Sequence, residues 1–492
     1  MLNDIIIHPY NATYNKIETE PSIVQDLYEY LTFKVPNYEF MKSKSPEKLR
    51  HWSGEIHLYN RRTKRVYVGL TPRIEEFARD RGFTVGIATK GDVEFSAVEA
   101  AEFIKTLGLP EDKTPRYYQF KSFLQAVRKH RTLIVSPTAS GKSLFLYLLI
   151  RYYLLALESG SDKILLMVPT INLVHQMISD FKEYGWEGVD RYVHLIYEGQ
   201  EKHNPAKPVY ISTWQSIYNE EKEYFDFNVI ICDEVHHAQA DSIKGIMEAA
   251  DKTDVRIGCT GTLNDTLTHR LVLEGLFGEV YEATTTKELI EQKHLAELRI
   301  KCIILKHLPK PKVYEYSDEI EYLAEHEPRN RFIQNLALSL HGNTMILFRL
   351  VDKHGKGLYN RIKNSTDRPI YLIHGGVDGE ERESIRRILA KEQNAILVGS
   401  YGTVSTGINI PSLRNIIFAS PYKSRIKVLQ SIGRGLRMAE NKTKCTVFDL
   451  ADDLTKGGSQ NVTLKHFNER VKLYYEEDFE PQIYRVDLKN AK

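Results

Sequence analysis

Residues 131–145 read Arg131-Thr-Leu-Ile-Val-Ser-Pro-Thr-Ala-Ser-Gly-Lys-Ser-Leu-Phe145. The run Thr132-Leu133-Ile134-Val135 predicts a short buried strand. Ser136, Pro137, Thr138, Ala139 and Ser140 are small, turn-forming residues. Gly141-Lys142-Ser143 then opens an apolar helical run from Leu144 to Leu157. A strand, a small-residue loop and Gly-Lys-Ser at a helix start make a phosphate-binding loop. The side chains must be small because backbone N–H groups approach the phosphates closely, and the helix N-terminus favours negative charge. Lys142 is placed to neutralise β- and γ-phosphates, and the Ser143 hydroxyl to ligate Mg2+. Ser136 stands where the pattern usually has its first glycine.

Outward from this loop, the chain shows a regular alternation of strands and helices. Candidate strands lie at 132–135, 164–168, 193–197, 208–212, 228–232 and 255–259, and again at 344–348, 369–373, 395–399, 415–419 and 445–449. Near-continuous apolar runs separated by helices predict parallel sheets covered on both faces. The expected organisation is a small basic α/β domain over 1–95, parallel-sheet domains over 96–290 and 291–470, and a tail over 471–492. The hinge is expected within 284–310, and the tail is expected to pack back as a helix.

Composition sets bounds. The chain has 492 residues, 42% of them apolar, 27% charged, with a net charge of +2, so any basic surface must be local. Cys232, Cys259, Cys302 and Cys445 form no Cys-x-x-Cys pair, which disfavours zinc and disulfide scaffolds and suits a reducing cytoplasm. No run is apolar and long enough to span a membrane. Met1 to His8 lacks the features of a signal peptide.

In the N-terminal stretch, Lys42, Lys44, Lys48, Arg50, Arg61, Arg62, Lys64, Arg65 and Arg73 face only Glu47 and Glu55 as acids, with Trp52, Tyr59 and Tyr67 interleaved. Basic residues with aromatics suit a nucleic-acid backbone with stacked bases. The same pattern suits a solvated face over a small core to which Tyr59 and Tyr67 belong.

Val229-Ile-Ile-Cys-Asp-Glu-Val-His236 predicts a strand ending in two carboxylates. Asp233 is placed to hold Mg2+, and Glu234 to orient and deprotonate water, the two roles that phosphoryl transfer to water needs. The alternative is a helix cap. His236-His237 has no partner at metal-ligand spacing. Gln430-Ser-Ile-Gly-Arg-Gly-Leu-Arg437 places Arg434 and Arg437 three apart, on one face if the segment is helical. They read as fingers for developing phosphate charge, or as a surface pair.

These three pieces, in this order, resemble superfamily 2 helicases and translocases. Further stretches extend the resemblance. Pro115-Arg-Tyr-Tyr-Gln119 looks like the adenine-recognition motif, with Gln119 on the adenine edge and Tyr117 or Tyr118 stacking. Pro169-Thr170, Ser212-Thr213-Trp214-Gln215, Thr260-Gly261-Thr262, Gly399 to Asn409 and Gln430 to Arg437 look like motifs Ia, Ib, III, V and VI. Asn409 stands where many members have Asp. Arg50-His-Trp-Ser-Gly-Glu-Ile56 and Leu58-Tyr-Asn-Arg61 narrow the match to the UvsW-type recombination and repair helicases of tailed bacteriophages.

The resemblance implies two RecA-like doubly wound domains in tandem behind a small α/β nucleic-acid-binding domain. It implies ATP held between the domains by Lys142, Ser143, Asp233, Glu234, Gln430, Arg434 and Arg437, with Mg2+ on Ser143 and Asp233. His236, Thr260, Thr262 and Gly407 would couple nucleotide state to closure. Thr170, Thr213, Trp214 and Thr403 would hold DNA, together with Arg50, Trp52, Arg61, Arg62, Lys64 and Arg65. The implied activity is ATP-driven migration and unwinding of branched DNA and RNA–DNA hybrids, by a monomer in the cytoplasm of the host cell. An RNA helicase, a duplex translocase and a non-catalytic scaffold are the other readings.

Overall fold

The computed structural model describes residues 3–35, 38–44, 47, 50, 52–88, 91–156, 162–237, 240–263, 267–307, 315–405, 410, 412–439, 442–456 and 458–488. Two compact units result. One comprises Met1–Ser136 and Gly141–Ala283, the other Pro137–Ser140 and Thr284–Lys492. Among the described residues, no helix is long and apolar enough to cross a membrane.

The first unit opens with β1 (Ile5–Pro9), β2 (Tyr14–Thr19), β3 (Thr32–Lys34), β4 (Glu55–His57), β5 (Tyr59–Asn60), β6 (Arg65–Tyr67) and β7 (Val85–Ile87). Five of these form a sheet in the order β5-β6-β2-β1-β7, and β3 pairs with β4. The neighbouring strands β4 and β5 therefore belong to two different sheets. Helix Pro21–Tyr30 starts on a proline, whose missing N–H costs nothing there. Helix Thr71–Arg81 ends on Gly82 at φ 73°, a left-handed cap that glycine adopts without strain.

A seven-stranded sheet follows, built from β8 (Arg131–Val135), β9 (Ile164–Val168), β10 (Val193–Ile196), β11 (Val209–Thr213), β12 (Val229–Cys232), β13 (Val255–Thr260) and β14 (Val280–Glu282). The order is β10-β11-β9-β12-β13-β8-β14, with every pairing parallel. All five residues of β9 and of β11 are buried, as a sheet covered on both faces requires. Alternate side chains go to different cores. Ile134, Leu166, Ile211 and Ile231 pack with Phe145, Leu148 and Phe181. Leu133, Leu165, Tyr210 and Ile230 join a core that runs without a break into Ile7, Leu27, Tyr59, Tyr67 and Phe77 of the N-terminal module.

Polar contacts reinforce that join. Tyr14 and Tyr67 both donate their hydroxyls to Glu248 Oε1, at 2.5 and 2.7 Å. Arg73 makes a forked pair with Glu274, Nε at 3.2 Å and Nη2 at 3.1 Å from Oε2. The fully buried Arg256 donates to Thr13 Oγ1 at 2.8 Å and to the Ala250 carbonyl at 2.7 Å. Gly69 lies so close to the Glu274 carbonyl that no Cβ would fit.

The second unit holds another seven-stranded parallel sheet: β15 (Glu297–Lys306), β16 (Asn343–Phe348), β17 (Ile370–Ile373), β18 (Ile396–Ser400), β19 (Leu413–Phe418), β20 (Lys444–Asp453) and β21 (Gln482–Asp487). Its order is β17-β18-β16-β19-β20-β15-β21. The boundary between the compact units falls between Ala283 and Thr284, and the region that follows contains the capped helix Thr286–Glu291 and the ten-residue β15, which pairs along its length with β20. One expectation is corrected here. The tail is not simply a helix. Helix Val462–Glu476 is followed by β21, which closes the sheet edge against β15. Buried Glu319 accepts from the N–H groups of Val462 and Thr463, both at 2.8 Å, and so caps the C-terminal helix from another element.

Candidate functional site

In the first sheet, β13 lies between β12 and β8. The phosphate loop, Asp233-Glu234 and Thr260-Gly261-Thr262 therefore leave neighbouring strands at their C-terminal ends, where α/β sheets bind ligands. The backbone ties them: Ser136 N–H donates to the Thr260 carbonyl at 2.9 Å, and Asp233 N–H to the Met167 carbonyl at 2.8 Å. Within the loop, Ser140 N–H turns back to the Pro137 carbonyl at 3.1 Å, and Ala139 takes φ 69°. Gly141 takes φ 82°, and a Cβ there would stand 2.5 Å from Gln119 Nε2. Both reasons call for glycine.

Gln119, from the helix before β8, is bound to this loop. Its Nε2 donates to the Gly141 carbonyl at 2.9 Å, while its Oε1 accepts from Arg116 N–H at 2.8 Å. Tyr118 is buried and its hydroxyl accepts from Arg116, whereas Tyr117 is 75% exposed. The ring presented at the surface is thus that of Tyr117.

Lys142 Nζ lies 3.4 Å from Glu234 Oε1 and donates to the Ser136 carbonyl at 3.3 Å. Asp233 is buried. Burial, and then the charge of Glu234, push its carboxyl up to about 7 against the pull of Lys142. Glu234 adopts φ 49°, a left-handed backbone that costs a non-glycine residue of order 1 kcal/mol or more. Its N–H donates to Asp233 Oδ1 at 2.9 Å, and its Oε2 accepts from Gly261 N–H at 3.3 Å. His236 Nδ1 sits 2.6 Å from Thr260 Oγ1 and 3.3 Å from Glu234 Oε2, and Thr260 Oγ1 donates to the Thr262 carbonyl at 2.8 Å. Glu234, His236, Thr260 and Thr262 therefore form one connected set.

The donors suit Mg2+. Asp233 and Ser143 offer hard oxygens only, and a buried carboxylate whose charge is penalised calls for a cation. Ser143 Oγ is hydrogen-bonded to Tyr184 OH at 2.7 Å, a partner that sequence reasoning missed because it lies 41 residues away.

In the second unit, Gln430 and Arg434 are buried on helix Arg425–Gly435, while Arg437 lies beyond the Leu436 cap. The two arginines therefore do not share a helical face. Thr403, on the short helix Tyr401–Ser405, accepts from Ser400 Oγ at 2.9 Å. Gly407 and Asn409 lie outside the described residues.

The stretches around Thr170 and Thr213 meet across a groove of about 470 Å³, whose walls include Pro169, Thr170, Tyr197, Lys202, Thr213 and Ser216. Thr170 caps the helix after β9, and Thr213 Oγ1 is 2.8 Å from Ser216 Oγ. Trp214 is 3% exposed and belongs to the core, so it does not line this groove. Tyr197 and Lys202 were not anticipated. The Tyr-Glu-Gly-Gln turn directly after β10 is the signal that could have found them.

On the N-terminal module, Tyr59 and Tyr67 are core residues, so they do not serve a stacking surface. Arg50, Arg61 and Arg62 are exposed and Lys64 is half-buried. Arg61 covers the Tyr28 ring at 3.9 Å and Arg65 the Tyr10 ring at 3.7 Å. Trp52 Nε1 donates to the Glu55 carbonyl at 3.1 Å.

Family models match along the chain. Residues 4–88 match the N-terminal region of DNA helicase UvsW, 112–265 the res subunit of type III restriction enzymes, and 328–439 the helicase conserved C-terminal domain. The chain is 31% identical to the ATP-dependent DNA helicase uvsW of Enterobacteria phage T4, over 99% of this chain and 100% of that protein. It is 22% identical to the putative mitochondrial ATP-dependent helicase irc3 of Schizosaccharomyces pombe, over 72% of this chain and 61% of that one. The crystal structure of T4 UvsW aligns over 99% of this chain and 100% of that one, with TM-score 0.52 and 30% identity. A fragment of a putative HsdR subunit of a type I restriction enzyme from Vibrio vulnificus YJ016 shares the fold over 85% of this chain and 83% of that one, at TM-score 0.58 and 17% identity. With an ATP-type phosphate loop, tandem parallel sheets and a full-length relative above 30% identity, the chain belongs to the UvsW family of superfamily 2 ATP-dependent DNA helicases.

Proposed function

We propose that this helicase spends ATP on remodelling branched DNA: migrating four-way junctions, regressing forks and displacing RNA from RNA–DNA hybrids. The observation that carries the reading is the join between the basic N-terminal module and the ATP-binding unit. Their cores are continuous, and Glu248, Glu274 and Arg256 close the seam with hydrogen bonds. A basic face so fixed travels with the motor and is suited to hold a duplex arm while the groove at Thr170 and Thr213 tracks a strand. Both sets of contacts are to phosphates, which position a strand without reading its sequence.

In the ATP site, Lys142 takes the β- and γ-phosphates, and Glu234 orients the attacking water and receives its proton. Gln430, Arg434 and Arg437 serve the same reaction from the second unit, the arginines by meeting charge on the transferred phosphoryl group. Ser143 and Asp233 would hold Mg2+, which would supply charge neutralisation at the phosphates. The link from Glu234 through His236 to Thr260 and Thr262 carries nucleotide state to the nucleic-acid face. Tyr117 stacks on adenine, and Gln119 reads its edge.

The test is a substrate panel. ATPase stimulation and strand displacement are compared on four-way DNA junctions, forks, RNA–DNA hybrids, plain DNA duplexes and RNA duplexes. Preference for the branched DNAs and hybrids supports the reading. Equal activity on RNA duplexes, or translocation without displacement, removes it.

A further inference from the structure

Arg437 lies just beyond Leu436, which closes helix Arg425–Gly435. A guanidinium that must meet a phosphate within a fraction of an ångström needs a firmly held backbone. Five residues on, Lys442 bridges antiparallel to Ala439, and its N–H donates to the Ala439 carbonyl at 3.0 Å. Its side chain turns inward, 1% exposed, and Nζ donates to the Arg437 carbonyl at 2.7 Å.

A buried lysine is costly and seldom kept without a task. We infer that Lys442 is a positioning residue for Arg437, fixing the backbone of that arginine and thereby the place of its guanidinium. The inference rests on the reading of Arg437 as a phosphate-contacting residue. Burial pulls the Lys442 ammonium down to about 8; Cys445 opposes this, and Arg414 on β19 and Arg437 itself add to it. Cys445 on β20 is pushed up to about 12 by burial, so neither it nor the arginines titrate near pH 8. Above pH 8 the lysine is neutral, and its bond to the carbonyl loses its charge assistance. The positioning is therefore pH-dependent: intact below about pH 8 and weakened above it.

The experiment is steady-state ATPase with saturating DNA from pH 6.5 to 9.5. It uses wild type, Lys442→Met, Lys442→Gln, Arg437→Ala and the double variant Arg437→Ala with Lys442→Met. Expected is a loss of about tenfold or more in kcat for Lys442→Met, the size of a lost charged hydrogen bond, with KM for ATP nearly unchanged. The double variant should be no slower than Arg437→Ala alone, because both changes remove one function. Wild-type kcat should fall as pH rises through about 8, and Lys442→Gln should lack that fall. Wild-type kcat in Lys442→Met beside an impaired Arg437→Ala overturns the inference alone, as does additivity in the double variant. Wild-type kcat in Arg437→Ala overturns the reading of the arginine and the inference with it. If Lys442→Met does not fold, a folded Lys442→Gln that keeps the wild-type pH fall overturns the inference, and one that loses it supports it.

Discussion

The ammonium of Lys142 and the carboxylate of Glu234 stand 3.4 Å apart, with side chains 12% and 16% exposed. The residue proposed to grip phosphate thus has as its counter-ion the residue proposed to activate water. A phosphate arriving at the loop competes with the carboxylate for the lysine and frees Glu234 for water. Glu234→Gln should therefore bind ATP at least as tightly as wild type and lose roughly 10²- to 10⁴-fold in turnover, the usual share of a general base. Lys142→Ala should lose binding and turnover together. Nucleotide titration beside steady-state ATPase separates the two, and normal turnover in Glu234→Gln contradicts the assignment.

Asp233 is buried, and burial and Glu234 both disfavour its charge. Asp233→Asn should remove that penalty and raise the stability measured in urea with EDTA at pH 8, by on the order of 1 kcal/mol or more. The same variant should lose Mg2+-dependent ATPase. A lower urea midpoint, or retained turnover, contradicts the role given to this carboxylate.

Glu248 accepts from two tyrosines of the N-terminal module. Glu248→Ala leaves both phenol groups without that acceptor and should cost about 1–3 kcal/mol. Because the module's core is shared with the first parallel sheet, the loss should appear in one unfolding transition rather than two. Denaturant unfolding followed by intrinsic fluorescence and by far-ultraviolet dichroism checks this. Non-coincident transitions would show that the module folds independently.

Acid should attack the second unit at His354. Its ring is buried, with Nδ1 3.1 Å from Ser420 Oγ and Nε2 3.1 Å from Asn330 Oδ1. Burial, and then the charge of Arg329, pull it down to about 3. The folded value lies below the unfolded one near 6.5, so unfolding takes up a proton between those limits. Stability is full above about 6.5 and falls as pH drops toward 3. His354→Gln should shift the acid-unfolding midpoint to lower pH, while costing about 1 kcal/mol at pH 7 through poorer hydrogen bonding. An unchanged acid midpoint rules this histidine out as the sensitive group.

The sheets and the phosphate loop were legible because their signals are local. Ile164–Val168 and residues 345–348 are apolar runs buried on both faces, and Gly141-Lys142-Ser143 declares itself within a few residues. The strand Gln482–Asp487 was not legible. It is a sheet edge with nearly every side chain exposed, so no alternation marks it. The strand Glu297–Lys306 hid in a stretch whose Arg299 and Lys301 break the apolar run. Within the site, Tyr184 beside Ser143 comes from a distant element and had no local mark, and Tyr197 in the groove was marked only by the turn that follows β10. The buried state of Tyr59, Tyr67 and Trp214 is likewise a product of packing. An aromatic beside basic residues reads the same whether it faces a base or a core.

ATP-dependent dissociation of a synthetic four-way DNA junction, with Lys142→Ala alongside, decides whether this helicase migrates branches. The wild type should resolve the junction, and the variant, folded but without turnover, should not. A wild type whose ATPase is stimulated by DNA, yet which leaves the junction intact, contradicts branch migration as its activity.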